Sequence, residues 1–122
     1  GKNVFSSIGC NQCHTPSMKT GPNAVRALDK VNVKLFSDLL LHDIGTGDGG
    51  TDICIGNATS KEFRTEPLMG LRLNPAFLHD GRATTIEQAI GFHGGEAANS
   101  RSLFNGLNAS QKNALLAFLN SI

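Results

Sequence analysis

The clearest hydrophobic periodicity lies in the second half of the chain. Four residues recur at helical spacing and would share one face of an amphipathic helix: Ile86, Ala89, Ile90 and His93. The run TTIE at positions 84–87 fits a capping box, which predicts Thr84 as the N-cap and Glu87 as the residue that reaches back to it. Gly94 and Gly95 predict the end of this helix.

Three further helices are predicted from shorter patterns. Residues 3–13 carry a short apolar stripe of Val4, Phe5 and Ile8. A short helix is expected near residues 98–105. A last helix is expected from Ser110 to the C-terminus, with a buried stripe made of Leu115, Phe118, Leu119 and Ile122. Both stripes suit packing of the first helix against the last.

The segments between these helices favour irregular structure. Pro16, Gly21 and Pro22 interrupt any regular element, whereas residues 31–36 alternate apolar and polar positions and could be extended. Residues 45–56 contain five glycines and are predicted to form a long loop. Asp43, Asp48 and Asp52 in or beside that loop suggest a calcium site but do not have EF-hand spacing, so we interpret them as solvated turn residues.

Length, charge and composition set limits on the number of domains and on the classes of partner. The chain has 122 residues, which suits one domain spanning residues 1–122. Its formal net charge of +1 favours neither nucleic acid nor an anionic membrane as a partner. No apolar run of the chain approaches the length of a membrane span. Because the chain begins at Gly1, we expect a processed protein or an excised domain.

The motif that carries chemistry is Cys10-Asn11-Gln12-Cys13-His14. C-x-x-C-H is the attachment signature of a c-type haem. The two thiols would form thioether links with one edge of the porphyrin, and His14 would be the proximal ligand of the iron. The motif therefore predicts one haem c, bound covalently through Cys10 and Cys13. Because this attachment takes place outside the cytoplasm, we expect a periplasmic or extracellular location.

The cysteines allow two other interpretations, a zinc site and a redox dithiol. A structural zinc site usually needs a second Cys/His pair at similar spacing, and only Cys54 remains. A redox dithiol of the thioredoxin type needs a βαβ pattern, which is not evident here. Cys54 itself is interpreted as a small buried apolar residue, with an intermolecular disulfide as the alternative.

Two segments resemble the bacterial di-haem cytochrome c peroxidase superfamily. They are LLLHDIG at residues 39–45 and FRTEPLMGLRLNPAFLHDGRATTIEQAIGFHGGE at residues 63–96. The chain is most similar to the C-terminal haem domain of the two-haem thiol oxidoreductase branch, over residues 8–119. The resemblance implies an all-α, cytochrome c-like fold with long irregular loops. The family uses two haems for peroxidase or oxidase chemistry, whereas this chain has one C-x-x-C-H motif.

The sixth ligand of the iron decides between electron transfer and ligand binding. The candidates are His42, His79, His93, Met18 and Met69. We favour His93, which lies on the apolar helix face and follows His79 by fourteen residues, an interval similar to that of the axial Met in related peroxidases. Met69 is the alternative, since a loop Met is the usual ligand of small electron carriers. Met18 is too close to His14.

The remaining polar candidates are expected around the haem rather than on the iron. His79 and His42 are interpreted as hydrogen-bonding neighbours, with His79 near a propionate. Buried propionates need partners, and a planar guanidinium suits a carboxylate. At least one of three arginines should therefore pair with a propionate: Arg64, Arg72 and Arg82.

These features together predict a mono-haem electron-transfer domain, six-coordinate and low-spin through His14 and His93, that docks transiently with redox partners. An isolated chain of this kind needs no catalytic residue. The alternatives are the electron-input domain of a larger di-haem peroxidase or oxidase, and a haem-based sensor of small ligands.

Overall fold

The computed structural model describes residues 1–45 and 56–122. Four α-helices form its frame: α1 (Lys2–Ser7), α2 (Ile86–Phe92), α3 (Ala98–Asn105) and α4 (Ala109–Leu119). Four short 3-10 turns occur at Cys10–Gln12, Arg26–Leu28, Leu71–Leu73 and Gly95–Ala97. None of the helices in this described part is long and apolar enough to cross a bilayer.

Four short strands make up two antiparallel sheets. In the first sheet β1 (Met18–Lys19) pairs with β2 (Asn32–Val33). In the second sheet β3 (Leu41–Asp43) pairs with β4 (Glu62–Arg64), and His42 lies opposite Phe63. The expectation of an all-α fold is therefore wrong: the structure is about 39% helical and 11% strand, a mixed architecture. The alternation at residues 31–36 indicated extended structure where β2 lies. The other three strands, of two or three residues, are too short to show a period of two, so the sequence pattern did not reveal them.

The core forms where α1 meets α4. Phe5, Phe36 and Phe118 make edge-to-face contacts, with ring centroids 5.5–6.1 Å apart, an arrangement that aromatic quadrupoles favour. The other buried members of the core are Ile8, Leu71, Phe104, Leu115 and Leu119. The predicted packing of the first helix on the last is thus confirmed.

The predicted boundaries of α3 and α4 are confirmed to within a few residues, whereas the first helix ends at Ser7 rather than near Cys13 and the start of α2 shifts by one residue. The side chain of Thr85, not Thr84, caps this helix, because Thr85 Oγ1 accepts from Gln88 N at 3.1 Å. The side chain of Gln88, not Glu87, reaches back and accepts from Thr84 N at 2.8 Å. The predicted loop at residues 45–56, with Asp48, Asp52 and Cys54, lies largely outside the described residues.

Candidate haem site

A mostly apolar cavity of about 540 Å³ opens between the motif turn, the β3–β4 sheet and α2. This volume lies within the usual range of cofactor sites. The face of α2 predicted from periodicity provides one wall, since all four of its residues line the cavity: Ile86, Ala89, Ile90 and His93. The same cavity is lined by the motif residues Cys10, Cys13 and His14.

The C-x-x-C-H segment is shaped by the residue before it. Gly9 has a φ of +84°, which ends α1 and begins the 3-10 turn. A Cβ at this position would also lie 3.0 Å from Ser100 Oγ, so glycine is needed both for the turn and for the approach of α3. Within the turn, His14 N donates to Cys10 O at 2.9 Å, which keeps the two cysteines and the imidazole at one cavity.

The imidazole of His14 is held by a backbone carbonyl. Its Nδ1–H donates to Phe36 O at 3.0 Å, so the lone pair of the neutral ring is on Nε2. Burial lowers the pKa of His14 to about 4, and the ring is therefore neutral at physiological pH. A neutral imidazole whose second nitrogen is fixed by a carbonyl is the usual form of a metal-ligating histidine.

His93 repeats this arrangement at the end of α2. It is the C-cap residue, with φ −65° and ψ 108°, and its Nδ1–H donates to Ala89 O at 2.7 Å. Burial lowers the pKa of His93 as well. The nearby imidazole of His93 further lowers the pKa of His14. The cavity thus contains two neutral imidazoles, each with Nε2 available for a metal.

The two thiols are not activated. Burial raises the pKa of Cys10 to about 11. Burial, and then the negative charges of Asp38 and Glu96, raise the pKa of Cys13. A reactive dithiol needs the opposite shift. Cys13, Asp38 and His42 bring potential metal-ligand atoms within 4.8 Å of one another, but both nitrogens of His42 already face carboxylates.

His42 is enclosed by two acidic side chains. Its Nε2 lies 2.9 Å from Asp38 Oδ2, and its Nδ1 lies 2.9 Å from Glu96 Oε2. Hydrogen bonds with Glu96 and then Asp38 raise the pKa of His42, so the imidazolium form is favoured. His42 lines the cavity, and both of its ring nitrogens face these carboxylates.

His79 lies on the cavity wall, whereas Met69 does not. The FLHDGR segment is closed by a backbone hydrogen bond from Phe77 N to Ala83 O at 2.8 Å. This turn places His79 against Phe63, with stacked rings 4.0 Å apart. Met69 is 60% exposed and is absent from the cavity wall. Its position does not favour it as a ligand of a group in this cavity.

The three predicted arginines occupy different places. Arg64 lines the cavity, and Arg72 lines a separate pocket of about 280 Å³. Arg82 forms an ion pair with Asp80 and lies over the ring of Phe92, away from the cavity wall. Arg101, which we did not predict, also lines the cavity. It lies on α3, where the sequence has no period that distinguishes a cavity-facing arginine from a solvated one.

The whole chain, residues 1–122, matches the family model described as "Di-haem oxidoreductase, putative peroxidase". The chain belongs to the di-haem oxidoreductase family. This result confirms the resemblance that the LLLHDIG and FLHDGR segments indicated.

The relatives of this family domain are longer proteins. The chain is 27% identical to a cytochrome c551 peroxidase of Nitrosomonas europaea over 122 residues, and it covers 33% of that protein's length. It is 34% identical to cytochrome-c peroxidase IdrP2 of Denitromonas iodatirespirans over 68 residues, or 53% of this chain and 18% of that protein. No solved structure matched the chain.

The family implies a haem cofactor, and the residues of this cavity fit one. The wall is mostly apolar and includes two imidazoles with fixed Nδ1–H groups. Both thiols of the attachment motif face the same space. Arg64 and Arg101 provide cations on the wall, which suits the carboxylates of a porphyrin.

Proposed function

We propose that this chain binds one haem covalently through Cys10 and Cys13, with His14 and His93 as axial ligands, and that it transfers electrons. One observation carries the proposal: two partly buried, neutral imidazoles line one cavity, and each donates its Nδ1–H to a backbone carbonyl. This pattern leaves two Nε2 atoms for one metal.

The chain's own residues would hold and shield the group. Haem iron, when bound, supplies one-electron exchange. The carbonyls of Phe36 and Ala89 fix the tautomer and the orientation of the two imidazoles. Ile86 and Ile90, which line the cavity, would keep water away from the ring. No side chain needs to make or break a bond, so the chain alone needs no catalytic residue.

We further infer that Arg64 and Arg101 are the partners of the propionates. Both line the cavity, and a buried carboxylate without a cation or hydrogen bonds would be costly. His79 would add a hydrogen bond from the same wall. Arg72 and Arg82, which do not line the cavity, are less suited to this role.

The place of the chain in a larger reaction is a second proposal. The relatives it matches are named as peroxidases, and the chain spans about a third of one of them. We propose that the domain is the electron-input module of such an enzyme, or a carrier that docks transiently with a redox partner near Cys13. Covalent haem attachment would require export, so we place the protein in the periplasm or outside the cell.

The decisive test is the pair of variants His93→Ala and His79→Ala in the haem-loaded protein. The wild type should show a Soret band, a mass increased by one haem and a low-spin electron paramagnetic resonance spectrum. His93→Ala should become high-spin and bind carbon monoxide when reduced, because a coordination position opens. His79→Ala should remain low-spin.

Two results would contradict this proposal. A low-spin spectrum in His93→Ala would remove His93 as a ligand. Rapid carbon monoxide binding by the untreated wild type would instead support the sensor alternative, because a weak or absent sixth ligand allows it.

A further inference from the structure

Two segments, each linked to one of the two proposed ligand histidines, meet beside the cavity. Residues 36–45 begin at Phe36, whose carbonyl accepts from His14. Residues 93–97 begin at His93 itself and form the turn between α2 and α3. The bonds between these segments are therefore well placed to determine where His93 lies relative to His14.

Four hydrogen bonds form what we call the latch: three connect the two segments, and the fourth, between Asp38 and His42, lies within the first segment. Asp38 Oδ2 and Glu96 Oε2 lie 2.9 Å from the two nitrogens of His42. The second oxygen of Glu96 accepts from Asp43 N at 3.0 Å. Gly94 N, directly after His93, donates to Ile44 O at 2.5 Å.

The backbones of the two segments pack without a side chain between them. Gly95 has a φ of +48°, and a Cβ there would collide with the carbonyl oxygen of Asp43. Gly45 has a φ of +69°, and a Cβ there would lie 3.0 Å from Gly95 N. Only glycine at these positions permits so close an approach.

We propose that Glu96 and His42 are positioning residues that hold His93 in the cavity it shares with His14. This inference rests on the proposed role of His93 as a ligand. His93 is the first residue beyond the helical dihedrals of α2, and a helix end without tertiary contacts frays readily. Glu96, three residues later, anchors that end to β3 through both carboxylate oxygens.

The test compares Glu96→Ala with Glu87→Ala in the haem-loaded protein. Glu87 lies in the first turn of α2 and is exposed, so it provides a matched loss of one carboxylate. Carbon monoxide should bind the reduced Glu96→Ala protein about fivefold faster or more, the lower end of typical coupling between sites. Glu87→Ala should bind at the wild-type rate.

Two further variants and a second measurement complete the design. Glu96→Gln can still accept from Asp43 N, so its rate should lie between those of the wild type and Glu96→Ala. His42→Gln should also accelerate binding, and it provides the test if Glu96→Ala does not fold. In both alanine variants the amide hydrogens of Asp43 and Gly94 are followed by exchange, which should accelerate only in Glu96→Ala.

The outcomes separate this inference from the proposed function. If His93→Ala stays low-spin, the ligand assignment fails. If His93→Ala becomes high-spin while Glu96→Ala and His42→Gln both bind carbon monoxide at the wild-type rate, the ligand assignment stands and the positioning role is overturned.

Discussion

At the scale of single residues, one strained backbone position directs a carbonyl acceptor towards His14, the proposed haem ligand. Phe36 has a φ of +52°, a conformation that is rare for a bulky side chain. Its ring is buried in the core while its carbonyl accepts from His14. The surrounding structure must hold this conformation, since isolated residues avoid it.

Ser37 helps to stabilise the backbone conformation of Phe36, and removing its hydroxyl should lower the stability of the protein. Its buried hydroxyl donates to Thr65 O at 2.7 Å and accepts from Leu39 N at 2.9 Å. Ser37→Ala leaves both groups unpaired, so we expect a loss of about 1–3 kcal/mol in the free energy of unfolding. Urea denaturation measures this loss, with Ser121→Ala as an exposed control. Equal stabilities for the two variants would contradict the prediction.

At the scale of elements, α2 carries the proposed sixth ligand and depends on its cap. The sequence predicted the apolar face of this helix but placed its start one residue early. Both threonines suit an N-cap by residue type. The structure distinguishes them because Thr85 Oγ1 accepts from a backbone N–H, whereas Thr84 Oγ1 donates to the side chain of Gln88.

Alanine at each threonine tests this difference. We expect Thr85→Ala to lower the free energy of unfolding by about 1 kcal/mol, the usual cost of a lost cap. Thr84→Ala should cost less, since its hydroxyl satisfies no backbone group. Thermal or urea unfolding of the two variants provides the measurement, and a larger loss in Thr84→Ala would show that the helix begins earlier.

At the scale of the whole molecule, the latch joins distant parts of the chain and should depend on pH. Hydrogen bonds with Glu96 and Asp38 raise the pKa of His42. Its stabilising contribution is complete below its ordinary pKa of 6.5 and is lost as the pH rises through the raised value. The bond with His42 lowers the pKa of Glu96, whose contribution is present above 4.5 and is lost as the pH falls through the lowered value.

The pKa shifts of His42 and Glu96 together define the pH range in which the latch is most stabilising. The difference in unfolding free energy between the wild type and His42→Gln should be largest between pH 4.5 and 6.5. It should decrease towards alkaline pH, where His42 becomes neutral and loses its attraction to the carboxylates. Denaturation of both proteins across this range checks the prediction. A difference that is constant with pH would show that the imidazole is not charged in the latch.

The sequence alone determined the local patterns. The C-x-x-C-H motif predicted Cys10, Cys13 and His14 as the haem-attachment residues, because such attachment depends on a fixed spacing over five neighbouring residues. The periodicity of α2 identified the face that carries His93, because helical geometry places residues three and four apart together. The predicted span of α3, residues 98–105, agrees with the helix in the structure.

Only the tertiary structure decided which distant residues meet. The short strands β3 and β4, the cavity position of Arg101, the exposure of Met69 and the enclosure of His42 all depend on contacts between remote segments. Asp38 and His42 are separated from Glu96 by more than fifty residues. No local pattern records such a pairing, because its free energy arises only when folding brings the two segments together.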